Sequence, residues 1–455
     1  MLKSSFITSF FMLLSQILLA QNPTFTINEA ALIAGQLTVD ASGYNYTPPT
    51  LGLFPSITIA GTGSTLTPGT IPISSFTAAT LKGSTVGTPV ALSSTATPLQ
   101  TDLLALLGAG GGLFSMRYSI ASLSPIAWTA GSYTNALKFG ISGVALGADI
   151  TPKNATLTVT VPAFISVVTD PGDLEFLIND LKYLRNTDIS LTKTTNYRFT
   201  VPLKINLKSN TATFTFTNGY TNVPAPTTNF NLVTAKTTTP VNTQINLSTT
   251  AQAFLPTLAV PTGNTSNVTA QYTISTANIL AGFINKGTYS GTLNMELSDA
   301  TSAYPAATNN KTVNMRVVVS DLSELSISTS SINMQLSTAA NYKNGIFLDV
   351  SNHLTVSKTT PYSITVMATD ANLKLGTTST IPVNILSIGP AAGQSNVNTI
   401  SALTTSPQQL VNGSAPTIDR NIGIRYAINA SQTQALLNKP AGIYSTTITY
   451  TLTGL

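Results

Sequence analysis

One ribbon is written three times in this chain. AGSYTNALKFGISG (130–143), KGTYSGTLNMELSD (286–299) and AGIYSTTITYTLTG (441–454) share a glycine, one residue, a tyrosine and then alternating apolar and polar positions. Their tyrosines, Tyr133, Tyr289 and Tyr444, stand 156 and 155 residues apart. A period of two marks a half-buried β-strand, and two nearly equal spacings on that scale mark a structural unit repeated in tandem. The repeat reaches upstream, where MRYSIASLSPIAW (116–128), AQYTISTANILAGFI (270–284) and IRYAINASQTQALLN (424–438) carry Tyr118, Tyr272 and Tyr426 in a short apolar strand ahead of each ribbon. In the second and third copies LTKTTNYRFTVP (191–202) also answers VSKTTPYSITV (356–366). The segments that come after the first two ribbons, ATLTVTV (155–161) and TVNMRVVV (312–319), correspond as well. With two internal copies, the ribbon at 441–454 reads as a repeated element rather than as a dedicated sorting tail.

The spacing divides the chain into units at 21–150 (the divergent copy), 151–309 and 310–455. Turn signals such as TPGT, TDPGD, TNGY, PTGN and YKNG recur between runs of five to nine strand-forming residues. That rhythm fits antiparallel sandwiches and not βαβ units. Only 8% of residues are charged while 42% are apolar, and the polar remainder is mostly Thr, Ser and Asn. Threonine favours strands, and Ser, Asn, Gly and Pro favour the turns between them. The expected fold is all-β, three tandem immunoglobulin-like β-sandwiches. Gly131, Gly287 and Gly442 then supply a turn that a Cβ would strain. Each following tyrosine lays its ring on the core edge with its hydroxyl in water, much as immunoglobulin-like folds place a tyrosine near a strand start. The best helical pattern, DLEFLINDLKYLRN (173–186), has an alternating counterpart, INMQLS (332–337), in the third copy, so it is read as strand first.

The first twenty residues set Lys3 ahead of a short apolar run that ends at Ala20 before Gln21. This is the layout of a secretory signal peptide, and no later segment is long and apolar enough to cross a bilayer as a helix. Evenly spaced nine-residue strands of a transmembrane barrel would bring aromatic girdles, and aromatic residues are only 7%. The absence of cysteine excludes disulfides, thiolate metal sites and cysteine nucleophiles. The net charge of +5 is scattered. Even the densest basic group, from Lys182 to Lys208, is interleaved with Asp180 and Asp188 and reads as a solvated strand surface and not as a nucleic-acid site.

Sites of chemistry are sparse. The single histidine, His353, lacks partners at metal-ligand or triad spacing and is expected at a solvent-facing strand end. GAGGG (108–112) has neither the Lys-Ser/Thr of a phosphate loop nor a strand-helix context. Asp170, Asp173 and Glu175, around DPGDLE, are the one group of carboxylates placed to share a calcium ion, although Asp before Pro-Gly is ordinary turn chemistry. No catalytic residue, cofactor or metal is expected.

At KTTPYSITV and the closing AGIYSTTITYTLT the chain resembles spore coat protein U and Csu-type pilin domains, relatives of chaperone-usher subunits with an immunoglobulin-like fold. It departs from them in lacking cysteine and in stringing three units on one polypeptide. The resemblance implies a sandwich one strand short, completed by a strand from another chain. ATLTVTV and TVNMRVVV are placed to complete the first two units, and TFTIN (24–28) is the expected donor to the third unit of a neighbour. These features lead to the expectation of an exported, non-enzymatic surface or extracellular protein of structural or adhesive, pilus-like or matrix role. Its partners would be sister subunits, other surface proteins or glycans. The competing reading is a secreted carbohydrate-binding or carbohydrate-processing protein acting through loops at the sandwich ends. Mass spectrometry of the exported protein is expected to give a chain beginning at Gln21, and retention of residues 1–20 would overturn the signal peptide.

Overall fold

A computed structural model describes the molecule at residues 21–100, 111–218, 225–377 and 379–455, and within them thirty-one strands and a few short helices build the fold. The segment 1–20 and most of the glycine run at 108–112 lie outside the described residues. The apolar side chains gather into three separate cores, spanning Phe25 to Val161, Ile165 to Val319 and Leu354 to Ile428. Each core lies between two sheets, as the alternation of buried and exposed residues along the strands requires.

The first two units share one plan. In each, one sheet has the strand bearing Tyr118 or Tyr272 (Gly112–Ile120, Thr265–Ile274) at its centre. Its neighbours are Leu37–Thr47 and Thr77–Lys82 in the first unit, and Ile189–Phe199 and Thr234–Thr239 in the second. The other sheet centres on the Gly-x-Tyr strand, Gly131–Leu146 or Gly287–Asp299. On one side of it lies Leu51–Gly61 or Leu203–Ser209. On the other lies the strand that comes next in sequence, Asn154–Val161 or Thr308–Val319, called here the closing strand. Beyond the closing strand, and parallel to it, runs a short strand from the start of the unit, Thr24–Thr26 or Leu174–Ile178.

This pairing moves the joints read from the sequence. Residues 154–161 and 308–319 belong by hydrogen bonding to the sheets before them, so divisions at 150 and 309 cut through the first and second sandwiches. Repeat matching alone assigned these strands to the next unit, because it aligns copies without knowing which side of a joint a strand pairs with. The KTTxY match likewise joins positions that are not equivalent. Lys193 to Tyr197 lie within one strand, whereas Lys358 ends one strand and Tyr362 begins the next. Cross-strand register makes Leu203 the counterpart of Tyr362, since they face Asp299 and Gly454, ten residues past Tyr289 and Tyr444. In the segment 173–186, Leu174–Ile178 is strand, with a helical turn after it at Lys182–Arg185.

The units are tied together by polar contacts, buried at the first joint and largely exposed at the second. Asn264, fully buried in the PTGN turn at φ +59°, accepts from the Trp128 amide at 3.1 Å and donates to the carbonyls of Trp128 and Phe199 at 2.8 and 2.9 Å. One side chain thereby satisfies backbone groups of two units. Between the second and third units, Arg185 reaches Glu324 and Asp419, both at 2.7 Å. Asn264→Ala would leave three buried backbone groups without partners and is expected to cost about 2–4 kcal/mol. Urea unfolding with limited proteolysis checks this: a lower midpoint and new cleavage near residue 130 are expected, and a wild-type profile would contradict the tie.

Candidate functional site: the open edge of the third unit

The Gly-x-Tyr ribbons are alike in one bond that the sequence did not predict. Tyr133 donates to the Thr129 carbonyl at 2.8 Å, Tyr289 to that of Asn285 at 3.2 Å and Tyr444 to that of Pro440 at 3.0 Å. Each hydroxyl therefore closes onto the carbonyl four residues upstream and is not left to water. Gly131 and Gly287 hold the intervening turn at φ +149° and +146°. A Cβ on Gly287 would come within 2.7 Å of the Thr217 carbonyl oxygen, so a side chain there is excluded by both conformation and space.

What surrounds the ribbons differs. In the first unit the closing strand pairs from Asn154 opposite Lys138 to Val161 opposite Gly131. In the second, Val317 faces Tyr289 and Val319 faces Gly287. The inward side chains of these strands, Leu157, Val159 and Val161, then Val313, Met315, Val317 and Val319, are all buried. The parallel strands behind them bury Phe25 in the first unit, with Ile27 just past its end, and Leu174, Phe176 and Ile178 in the second. In the third unit the ribbon strand is shorter, Ile448–Gly454, and pairs only with Tyr362–Ala368. Its outer side has no partner among the described residues. Residues 331–337 precede a one-turn helix and a long strand just as Leu174–Ile178 does, yet they form no ladder.

Burial records the consequence. Ile332, Met334 and Leu336 pack on the third core but stay half-buried, and so do Tyr444, Ile448, Tyr450 and Leu452 on the facing ribbon. Their counterparts in the other two units are buried, save Ile141, which stands in the place of Leu452 and is half-buried. The third unit thus presents an unpaired backbone edge beside a row of half-covered apolar side chains, where the first two units hold a strand. An edge of that kind is a template for strand addition.

The expected donor is engaged elsewhere. Thr24–Thr26 pairs in its own unit with Thr158–Thr160, and Phe25 and Ile27 are fully buried in the first core. Withdrawing TFTIN would open that core, so it is not a free arm.

Beneath the open edge lies His353, which is 2% exposed and not at a solvent-facing strand end. Its Nε2 stands 2.8 Å from the Tyr426 hydroxyl, which stands 2.6 Å from the Tyr450 hydroxyl on the edge strand. Both other units also place a second polar ring beside the central tyrosine: Tyr44 meets Tyr118 at 3.1 Å, and Tyr197 is buried near Tyr272. His353 fills that role in the third. Burial holds its imidazole below the usual histidine range and raises the Tyr450 phenol. The bland sequence reading missed it because a lone histidine carries no spacing signal.

The acidic candidates are not gathered around a cation. Asp170 pairs with Lys311, Asp173 accepts from Asn314 at 3.0 Å, and Glu175 pairs with Arg316. All three partners come from the second closing strand, laid parallel to Leu174–Ile178. Asn314 and Arg316 alternate with apolar residues in KTVNMRV, and with Lys311 ahead of them they supply the polar partners on this strand. Among the described residues no group of three metal-ligating side chains is found, and no helix is long and apolar enough to cross a membrane.

No family model matches the chain, and no curated protein matches it. Among solved structures it is similar to CfaE, the adhesive subunit of CFA/I fimbria of enterotoxigenic Escherichia coli. That likeness has 10% identity and a TM-score of 0.26 over 66% of this chain and 98% of that one. It is also similar to the CsuC–CsuE chaperone–tip adhesion subunit pre-assembly complex of Acinetobacter baumannii, with 11% identity and a TM-score of 0.31 over 63% and 99% of the two chains. Mouse cadherin-23 EC22–24 matches 88% of this chain and 86% of that one at 8% identity and a TM-score of 0.24. The neighbours thus include pilus tip adhesins, but likeness at these scores says nothing of function, which has to be read from the sheet edges.

Two measurements bear on the tyrosine bond and the buried histidine. Tyr133→Phe and Tyr289→Phe each remove one hydroxyl-to-carbonyl bond and are expected to cost about 1 kcal/mol in chemical unfolding; no loss would show that the bond does not stabilise the ribbon. His353 is held neutral in the fold, so the unfolded chain binds its proton first as the pH falls. Its contribution is intact above the ordinary pKa of 6.5 and is lost as the pH drops through that value toward the lowered folded pKa. Thermal stability between pH 7.5 and 5.5 is expected to fall more steeply for the native chain than for His353→Gln, and equal slopes would contradict this.

Proposed function

We propose that the chain is an exported, non-enzymatic structural or adhesive component of a cell surface or extracellular assembly. In this reading its third unit is completed by a β-strand from outside these 455 residues. The observation that carries it is internal: one chain contains two filled copies and one unfilled copy of the same sheet edge. The filled copies specify the guest. It runs antiparallel to the ribbon and presents apolar residues at alternate positions to Gly442, Tyr444, Thr446 and Ile448, as Val319, Val317, Met315 and Val313 do to Gly287, Tyr289, Gly291 and Leu293. Main-chain bonds would supply affinity, and the apolar side chains would supply register. Low charge and threonine-rich outer faces suit packing against other surface components.

The test adds a peptide with the sequence of residues 308–319 to the purified chain. Four buried apolar side chains at about 1.5–3 kcal/mol each, together with the ladder's main-chain bonds at about 1 kcal/mol each, outweigh the roughly 1–2 kcal/mol per residue that ordering the paired segment costs. A stoichiometric complex and a rise of about 10 °C or more in the lowest unfolding transition are therefore expected. A peptide with the same residues scrambled out of alternation is expected to do nothing. Equal effects of both peptides, or of neither, would overturn the reading.

A further inference from the structure

Five of the six arginines sit against carboxylates: Arg117 on Asp40, Arg185 on Glu324 and Asp419, Arg198 near Glu29, Arg316 on Glu175 and Arg425 on Asp349. Arg420 forms no ion pair among the described residues. Its Nη1 donates to the Tyr362 hydroxyl at 3.0 Å and to the Ser414 hydroxyl at 2.9 Å, both neutral acceptors. Tyr362 is fully buried, so the guanidinium is anchored and not swept through solvent. The adjacent Asp419 does not neutralise it, because that carboxylate is held by Arg185 and the Ser357 hydroxyl.

Arg420 lines an open cleft of about 570 Å³, a volume in the range of small-molecule sites. The other side chains there include Asn396, Asn398 and Asn412, with no carboxylate among them. Asn398 donates to the Gln409 carbonyl at 3.1 Å, which fixes the amide and leaves its oxygen as an acceptor. Asn396 is held at φ +57° in the loop facing it. The cleft lies beside Gln408–Ser414, at the opposite edge of the sheet from the open ribbon strand.

We propose that this cleft binds a sugar acid. The planar guanidinium fork matches a carboxylate, and an unpaired, anchored arginine is the residue suited to take one. Side-chain amides both donate and accept, which matches the neighbouring hydroxyls of a saccharide better than a simple anion would use them. The site is separate from the open edge, so it stands or falls independently of strand addition.

Titration calorimetry of the full chain in roughly 0.15 M salt, where exposed charges are screened, compares trigalacturonate, maltotriose and a peptide with a free C-terminal carboxylate. Trigalacturonate is expected to bind at least tenfold more tightly than either of the others. Arg420→Gln is expected to abolish that preference, and Arg420→Lys, which keeps the charge but loses the fork, to weaken it. Because Arg420 also holds Tyr362, Asn398→Ala and Asn412→Ala serve as variants that leave this anchor in place. Each is expected to reduce trigalacturonate binding severalfold in a chain that stays folded, Asn398→Ala lowering the unfolding midpoint by no more than the one exposed bond it gives up. No binding of trigalacturonate, equal binding of maltotriose or of the peptide, or undiminished binding by the folded asparagine variants would overturn the proposal.

Discussion

The ladder between a Gly-x-Tyr strand and the strand next in sequence is the interaction on which the rest depends. A ribbon that buries one face still exposes a row of backbone donors and acceptors along any side without a neighbour. In the first two units that side is covered by Asn154–Val161 and Thr308–Val319, and each closing strand also supplies the wall that buries the core. Coverage is therefore both a hydrogen-bonding and an apolar matter. Removing it leaves the state of the third unit, with the ladder missing and its inward residues only half-buried.

The same arrangement explains why the ribbon tolerates such different lengths. In the first two units pairing begins at Gly131 and Gly287, because Val161 and Val319 lie opposite those residues. In the third it begins only at Ile448, and the stretch before it is tied by the bridge between Ser445 and Lys374 and by the Thr369 amide donating to the Thr447 carbonyl. The hydroxyl of Tyr444 nevertheless keeps its bond to the carbonyl four residues back. The local tyrosine clamp is thus intrinsic to the ribbon, whereas its extension depends on a neighbour. Polar ties at Asn264 and Arg185 then fix successive units to one another, so the open edge is carried on a supported frame.

Much of this was legible in the sequence, for a physical reason. Strand alternation and equal spacing are local signals, so the ribbons, the three central tyrosines and the all-β sandwich class could be read from them. What was not legible concerns which strand pairs with which. Repeat spacing puts ATLTVTV and TVNMRVVV at the start of a unit although the pilin resemblance implies that they complete the one before, and only their pairing settles it, while TFTIN looks like a free arm until Phe25 and Ile27 are seen inside a core. KTTxY misled because a short polar pattern recurs easily in a chain rich in threonine. His353 and Arg420 were hidden for a related reason: one is defined by burial and the other by a missing carboxylate, and neither leaves a motif. The pairing of Asp170 and Glu175 with Lys311 and Arg316 joins segments far apart in sequence and arises only because two strands lie parallel.

Amide hydrogen exchange over the three ribbons tests the open edge most directly, because it reads backbone pairing residue by residue. Slow exchange is expected along 131–140 and 287–297, with exchange faster by orders of magnitude at the outward-facing amides of 441–454 in the isolated chain. Equal, strong protection of all three ribbons would show that the third edge is already covered and would contradict its being open.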